Sequence, residues 1–492
     1  MRRSLLAGCL LAANVVAAPP ELLTQPNDSP LVTFRILFRT GAAFDTEGKE
    51  GAAALTAAML SKAGTKDKSY DEIVEALFPM AASVDAQVDK EMTVFVGTTH
   101  AENLEKYYEL LRSMLLEPGW RDDDFRRLKD EARNYLRIQL RSNNEEELAK
   151  EYLFLKVFED HPYGHHTAGT VAALDHLSID DLKSFHERFY LQGNLLIGLA
   201  GGYPEGFPER VRDDFMKLPE GATGTEPIVL PPPPKKLRIR IIEKDTRGTH
   251  IALGFPIPVN RSHNDWPALK LVQSYFGQHR SSKSYLFQKI REIRGMNYGD
   301  YAYIEYFPRG MFQFKPDPNL ARSRQIFHIW IRPVEPQNGM FALRIALYEL
   351  NKLVNNGITE EDLAATRRFL GKFVNLLTQT QSEELGYALD SRFYGITPFR
   401  GYVKNAWAGL TLDDVNAVIR KYLRSTDLDI VIITRDAAAM RNAIRTGRPS
   451  TIEYVSPPPQ EILDEDKVIG RYPLDVGSIE IVPAESIFEG ES

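Results

Sequence analysis

Ten histidines and one cysteine bound the metal and nucleophile chemistry open to this chain of 492 residues. The histidines cluster at one place, Asp160-His161-Pro162-Tyr163-Gly164-His165-His166. His161 and His165 stand four apart, the spacing that lets two imidazoles on one helix face share a metal ion. Pro162 and Gly164 oppose a helix there, so the stretch reads as a lobe-packing loop whose imidazoles hydrogen-bond locally. His176, His186 and His263 each stand alone and read as surface or capping residues. No Ser/His/Asp context or paired-carboxylate motif argues for an unrelated hydrolytic site.

Cys9 is the only cysteine, which excludes a disulfide scaffold and a Cys-based zinc site. It lies in an N-terminal stretch with Arg2 and Arg3 ahead of an apolar run, then Val15 and Ala17 at cleavage-site spacing. Residues 1–17 read as a secretory signal peptide, with a buried N-terminal helix as the alternative. Leu6-Ala7-Gly8-Cys9 also resembles a lipobox, but the apolar run continues past Cys9. Cleavage near Ala17 leaves a mature chain without cysteine, suited to an oxidising compartment. The expectation is a periplasmic or secreted protein, with lipid attachment at Cys9 as the lesser alternative.

The elements that must position any site come in two similar series. Leu230-Pro231-Pro232-Pro233-Pro234-Lys235-Lys236 reads as a stiff linker, placed at residues 227–236. Before it, Leu31–Thr40 is a strand candidate, followed by an Ala-rich helix over Gly51–Lys62. Ser69 and Glu72 form a capping-box pattern. Strands follow at Ser83–Val88 and Met92–Thr98, then a helix over Asn103–Leu116 and a long helix from Asp122 to about Leu140. Asn194–Ala200 closes the half as a buried strand. After the linker, strands at Leu237–Ile242 and Thr249–Phe255 precede helices at Trp266–Phe276 and Ser284–Ile293. Strands then recur near Tyr301–Tyr306 and Ile326–Ile331. A helix over Phe341–Val354 and another opening at Thr359–Asp362 lead to the closing strand, Leu428–Thr434. Acidic first turns at Asp122–Asp124 and Thr359–Asp362 suit the helix dipole at the same place in each half. The pattern is a duplicated α+β lobe: residues 18–226, then 237–455, with a Pro-rich acidic tail over 456–492 that packs along a lobe or a partner.

Net charge is −7, so no basic footprint points to nucleic acid. No apolar run approaches the roughly 20 residues of a membrane-spanning helix. Ordinary apolar content argues against wholesale disorder.

Over residues 30–455 the order of elements resembles the insulinase/pitrilysin family of zinc peptidases. His161-Pro162-Tyr163-Gly164 is similar to a family loop. The run from Leu286 to Tyr298 (LFQKIREIRGMNY) is similar to the family's second-lobe stretch LFQ-x-[LI]-R-E-x-R-G-x-x-Y. The resemblance implies two homologous lobes, each an antiparallel sheet of about six strands with helices packed on it, enclosing a peptide-cutting chamber. It also implies an H-x-x-E-H zinc helix in the first lobe, two imidazoles binding the metal while the Glu accepts a proton from its water. Here Ala54 and Ala58 stand at the two His positions and Ala57 at the Glu position. A further ligand Glu falls at Tyr135 or Leu136. The chain is therefore expected to hold no zinc of its own, the zinc belonging to a partner subunit. Arg291 and Tyr298 match an Arg/Tyr pair that in the family binds substrate backbone and steadies the oxyanion. Read without the family, Arg291 fits a charge lattice with Lys289, Glu292 and Arg294, and Tyr298 fits a strand start.

The expected function is a non-catalytic, substrate-binding subunit of a heterodimeric zinc metallopeptidase in the cell envelope. The alternative is a peptidase-fold binding or scaffold protein without proteolytic role. The first expects Arg291 and Tyr298 to face an open cavity, the second expects them buried in packing.

Overall fold

Two mixed sheets organise the chain in a computed structural model that describes residues 19–223, 228–454, 456 and 458–490. The signal-peptide stretch and Cys9 lie outside the described residues, as do residues 224–227 where lobe meets linker. The first sheet holds β1 (Glu21–Pro26), β2 (Leu31–Phe38), β3 (Asp85–Val88), β4 (Thr93–His100) and β5 (Leu195–Gly201), in the order β1-β5-β2-β4-β3. The second holds β6 (Leu237–Glu243), β7 (Thr249–Ile257), β8 (Asp300–Tyr303), β9 (Gln325–Val334), β10 (Asp429–Thr434) and β11 (Val476–Pro483), in the order β11-β6-β10-β7-β9-β8. Strands 6, 10, 7, 9 and 8 repeat the order of 1, 5, 2, 4 and 3. The duplication is thus topological as well as sequential.

Three of the four pairings in each repeat are antiparallel. The outer pairs β1–β5 and β6–β10 are parallel, as is β11 on β6. Strand β11 comes from the acidic tail, which also forms a helix over Gln460–Ile469. Ile469, Val482, Ile487 and Phe488 of this tail are buried, so it contributes core residues to both lobes. The tail reaches lobe one, where Glu489 accepts from Arg137 and Arg141.

The lobes exchange helices across their interface. Glu145–Val157, from the first half, packs on β7 and β10 of the second sheet. Gln381–Tyr394, from the second half, packs on β5 and β2 of the first. Sandwiching explains why Glu145–Val157 is buried almost all round and shows no clean amphipathic stripe. Its Leu148, Leu153 and Phe154 share a core with Ala252, Ile326 and Val431 of the opposite sheet.

Local sequence signals set several helix ends. The Ser69/Glu72 box caps Tyr70–Leu77, and a Thr359/Asp362 box caps Glu360–Leu377. Helix Asp122–Asn134 starts with three Asp in its first turn, then widens into a π-helical segment over Tyr135–Ser142. The expected helix at Ser284–Ile293 is also π-helical, over Phe287–Glu292. Such widened turns recur at functional sites.

Candidate functional site

Helix Ala52–Ser61 lies in the wall of a cavity of about 680 Å³ between the lobes. Ala54 and Ala58 face the cavity, four residues and hence one turn apart. Ala57 is fully buried in the core behind them. Tyr135 reaches the same cavity from the π-helical segment, whereas Leu136 points into the core. Edge strand β3 supplies another wall through Asp85, Ala86, Gln87 and Val88. The lobe-two wall is Tyr306, Pro308, Arg309, Asp317, Pro318 and Leu320.

The donor set here does not suit zinc. Three Ala side chains carry no ligand atom, and burial holds the Tyr135 phenol protonated well above its ordinary range. No group of three or more His, Cys, Asp or Glu among the described residues is placed to hold a metal ion.

The histidine loop serves packing. His161 Nδ1 accepts from the Tyr163 N–H at 3.0 Å, and its Nε2 lies 2.8 Å from the Val229 carbonyl. His165 Nε2 lies 3.2 Å from Asp45, the carboxylate that also receives the N–H groups of Gly51 and Ala53 at the start of the first helix. His166 reaches the cavity wall, and burial pushes its pKa down to about 3, so it is neutral. His263 accepts the Asp265 N–H in the turn ahead of helix Trp266–Gly277, without capping the helix itself, and His176 is exposed. His186 departs from the surface reading: it is wedged between Trp120 and Tyr190, with its pKa pushed down to about 4 by burial.

Arg291 and Tyr298 come together on lobe two. The Arg291 guanidinium lies 4.7 Å from the Phe287 ring centre and 5.9 Å from that of Tyr298. Tyr298 is 75% exposed, so it is neither a strand-core residue nor part of the cavity wall. Gly295, at φ 63°, turns the chain between them and returns its N–H to the Arg291 carbonyl at 2.7 Å. Arg294 does not join a lattice with Arg291: it is buried and pairs with Glu465 and Asp466 at 2.8 Å each.

Sequence reasoning missed the polar network beneath the cavity. Glu151, on the exchanged helix, accepts from the Tyr306 hydroxyl at 2.7 Å. Burial first, then the neighbouring Glu147, raises its pKa to about 7. Arg322 stacks 3.8 Å over the Tyr306 ring and pairs with Asp89 through two bonds of 2.7 and 2.5 Å. The only sequence signal was several charges in a helix that otherwise reads as core.

Fold and site define a duplicated, two-lobe α+β protein with an interlobe cavity whose first-helix wall carries Ala54 and Ala58, and no group of three metal-ligating side chains is assembled among the described residues. Residues 22–171 match the family model described as Insulinase (Peptidase family M16), and residues 176–370 match that of the Peptidase M16 inactive domain. The chain belongs to this peptidase family. A protein named as an uncharacterized zinc protease in Mycobacterium bovis is 23% identical over 370 residues, covering 73% of this chain and 78% of the relative. One so named in Streptomyces coelicolor is 24% identical over 423 residues, covering 83% and 86%. A peptidase M16 inactive domain from Pseudomonas fluorescens shares the fold with a TM-score of 0.74 at 22% identity, over 85% of this chain and 96% of that one. The periplasmic protease PqqL from Escherichia coli does so with a TM-score of 0.67 at 15% identity, over 96% of this chain and 52% of PqqL. This chain is therefore a peptidase homologue without the family's zinc-binding residue types, and no helix among its described residues is long and apolar enough to cross a membrane.

Proposed function

We propose that this chain is the substrate-holding, non-catalytic subunit of a two-chain zinc peptidase acting in the cell envelope. A peptide lies in the interlobe cavity against β3, and Arg291 and Tyr298 serve the zinc site of a partner chain carrying H-x-x-E-H. Strand β3 is the free edge of the first sheet and borders the cavity. An extended peptide can add to such an edge through main-chain hydrogen bonds.

One observation carries the reading. Arg291 and Tyr298 lie side by side in solvent on lobe two, where a partner chain can reach them, while the metal positions are Ala. Neither expectation drawn from the sequence is met: the pair is not buried in packing, as in a scaffold, and it does not face this chain's own cavity, so the reading rests on its being open to a partner chain. The N-terminal signal-like stretch and the likeness to a periplasmic protease support the envelope placement.

The test is to purify the mature chain alone and with an H-x-x-E-H family member from the same genome. Zinc content and turnover of a fluorogenic peptide are then measured. The reading expects zinc and turnover to depend on the partner, and turnover to need both chains. Equal turnover by the partner alone, or the lack of any binding partner, overturns it in favour of a scaffold.

A further inference from the structure

The internal repeat exposes an asymmetry. Strands β3 and β4 are joined by the short connection Asp89–Met92. Their counterparts β8 and β9 also pair directly, yet residues 304–324 run between them. Connections longer than about 12–15 residues without secondary structure are uncommon and usually functional. This one leaves sheet two, crosses to the cavity of lobe one and returns. It supplies the lobe-two wall facing β3.

The two ends of the crossing are built differently from its middle. At the return end, Asn319 is fully buried at φ 64°; its backbone N–H and side-chain amide donate to Asp390, and its Oδ1 accepts from Arg35 at 2.6 Å. At the outgoing end, two carboxylates one turn apart on the exchanged helix grip the chain. Glu151 takes the Tyr306 hydroxyl, and Glu147 takes the Arg309 N–H at 2.8 Å. The middle closes on itself through Arg309 and Asp317 at 2.7 Å, a pair with side chains 62% and 32% exposed. Its outer face leans on lobe two through Lys315–Glu383, and through His279 against the Gln313 carbonyl. The exposed Arg309–Asp317 pair is worth about 0–1 kcal/mol, and with Phe312 and Phe314 exposed the middle is held less firmly than the ends.

Across the cavity, beside the Arg35–Asn319 bond, one side chain of the β3 edge meets the connection near its return end. Gln87, on edge strand β3, donates its side-chain amide to the carbonyls of Pro318 and Asn319 at 2.9 and 2.7 Å. A peptide adding to β3 must pass this bar.

We propose that residues 310–318 form a lid over the β3 edge, latched across the cavity by Gln87, and that release of this latch admits a peptide. The inference rests on the reading of the cavity as a peptide groove. The latch sits on one side chain of a half-buried strand, so it can be removed without touching the core.

The test uses the full mature chain, a Gln87→Ala variant and a variant in which residues 310–316 are replaced by Gly-Ser-Gly. Hydrogen–deuterium exchange of residues 310–318 reads the lid, and anisotropy of fluorescein-labelled β-casein reads the groove. Melting curves establish that each variant is folded. The proposal expects faster exchange across the lid in Gln87→Ala and casein binding about tenfold tighter in both variants, the gain from raising a minor open population. Unchanged lid exchange in Gln87→Ala overturns the latch. A freed lid with unchanged casein affinity, in a wild type that does bind, overturns the gate while leaving the groove. Binding by none of the three proteins, with the lid freed, overturns the groove reading and the gate with it.

Discussion

Asp89 at the end of β3 and Arg322 ahead of β9 form a two-bond ion pair between the lobes, with both side chains almost wholly buried. A planar guanidinium suits this geometry, and Tyr306 covers its face. The pair fixes how the lobes meet directly beneath the cavity.

Breaking that pair from one side leaves a buried charge without its partner. Asp89→Ala or Arg322→Ala is expected to cost about 3–5 kcal/mol of stability. The double variant costs less than the sum of the two, because the stranded charge is gone. Denaturant melts of the three variants measure both quantities; strict additivity would show that the pair is not coupled.

Zinc binding should not return on restoring the helix motif alone. The triple variant Ala54→His, Ala57→Glu, Ala58→His places two imidazoles on the cavity wall but leaves the coordination sphere short of a ligand. Tyr135 faces the same cavity, whereas Leu136 does not. Adding Tyr135→Glu is expected to give tightly held zinc, and adding Leu136→Glu is expected to give none and to destabilise the core. Metal analysis after dialysis distinguishes them.

Arg291→Ala and Tyr298→Phe should leave the melting temperature unchanged, since both side chains are largely outside the core. Each is expected to lower peptide turnover by the mixed chains by a factor of about 10² to 10³, the usual effect of losing one donor to a developing oxyanion or substrate carbonyl. Full turnover in both variants removes them from the proposed substrate-binding role.

Stability should fall with rising pH through Glu151. Its carboxyl titrates at about 7 in the fold against an ordinary 4.5. The folded state therefore holds the proton more tightly, and the stabilising share is complete below about pH 4.5 and lost as pH rises through about 7. The groups facing it are Glu147 and Lys150 of its own helix, Tyr306 and Arg322 of the lid connection, Lys90 and Tyr135 of lobe one, and His166, which stays neutral in this range. Relative to Glu151→Gln, the wild type is expected to lose on the order of 3 kcal/mol between pH 4.5 and 8. Parallel melts across that range check the sign. Parallel curves for the two proteins would refute the buried-acid account.

The sequence alone determined what is local. Ser69/Glu72 and Thr359/Asp362 cap helices because a side chain three residues away satisfies their first amides. The β-branched runs at Leu31–Phe38 and Asp429–Thr434 became central strands because period and composition suit burial. Ala54, Ala57 and Ala58 stand where the family resemblance puts the His, Glu and His of a zinc helix, and no Ala carries a ligand atom. The choice of Tyr135 over Leu136 at the cavity needed the structure, because the chain widens into a π-helical turn there and shifts which side chain faces in.

Tertiary structure decided everything that joins distant segments. Glu147 and Glu151 look like surface charges on a helix until that helix is laid on the other lobe's sheet, where Arg309 and Tyr306 meet them. The acidic tail showed no strand pattern clear enough to compete with its prolines, yet the open edge of β6 offered it a ladder. Asp89 and Arg322 stand 233 residues apart, and no local rule links them. Their pairing follows from two homologous sheets burying their faces under each other's helices, a constraint of packing that single-segment patterns do not carry.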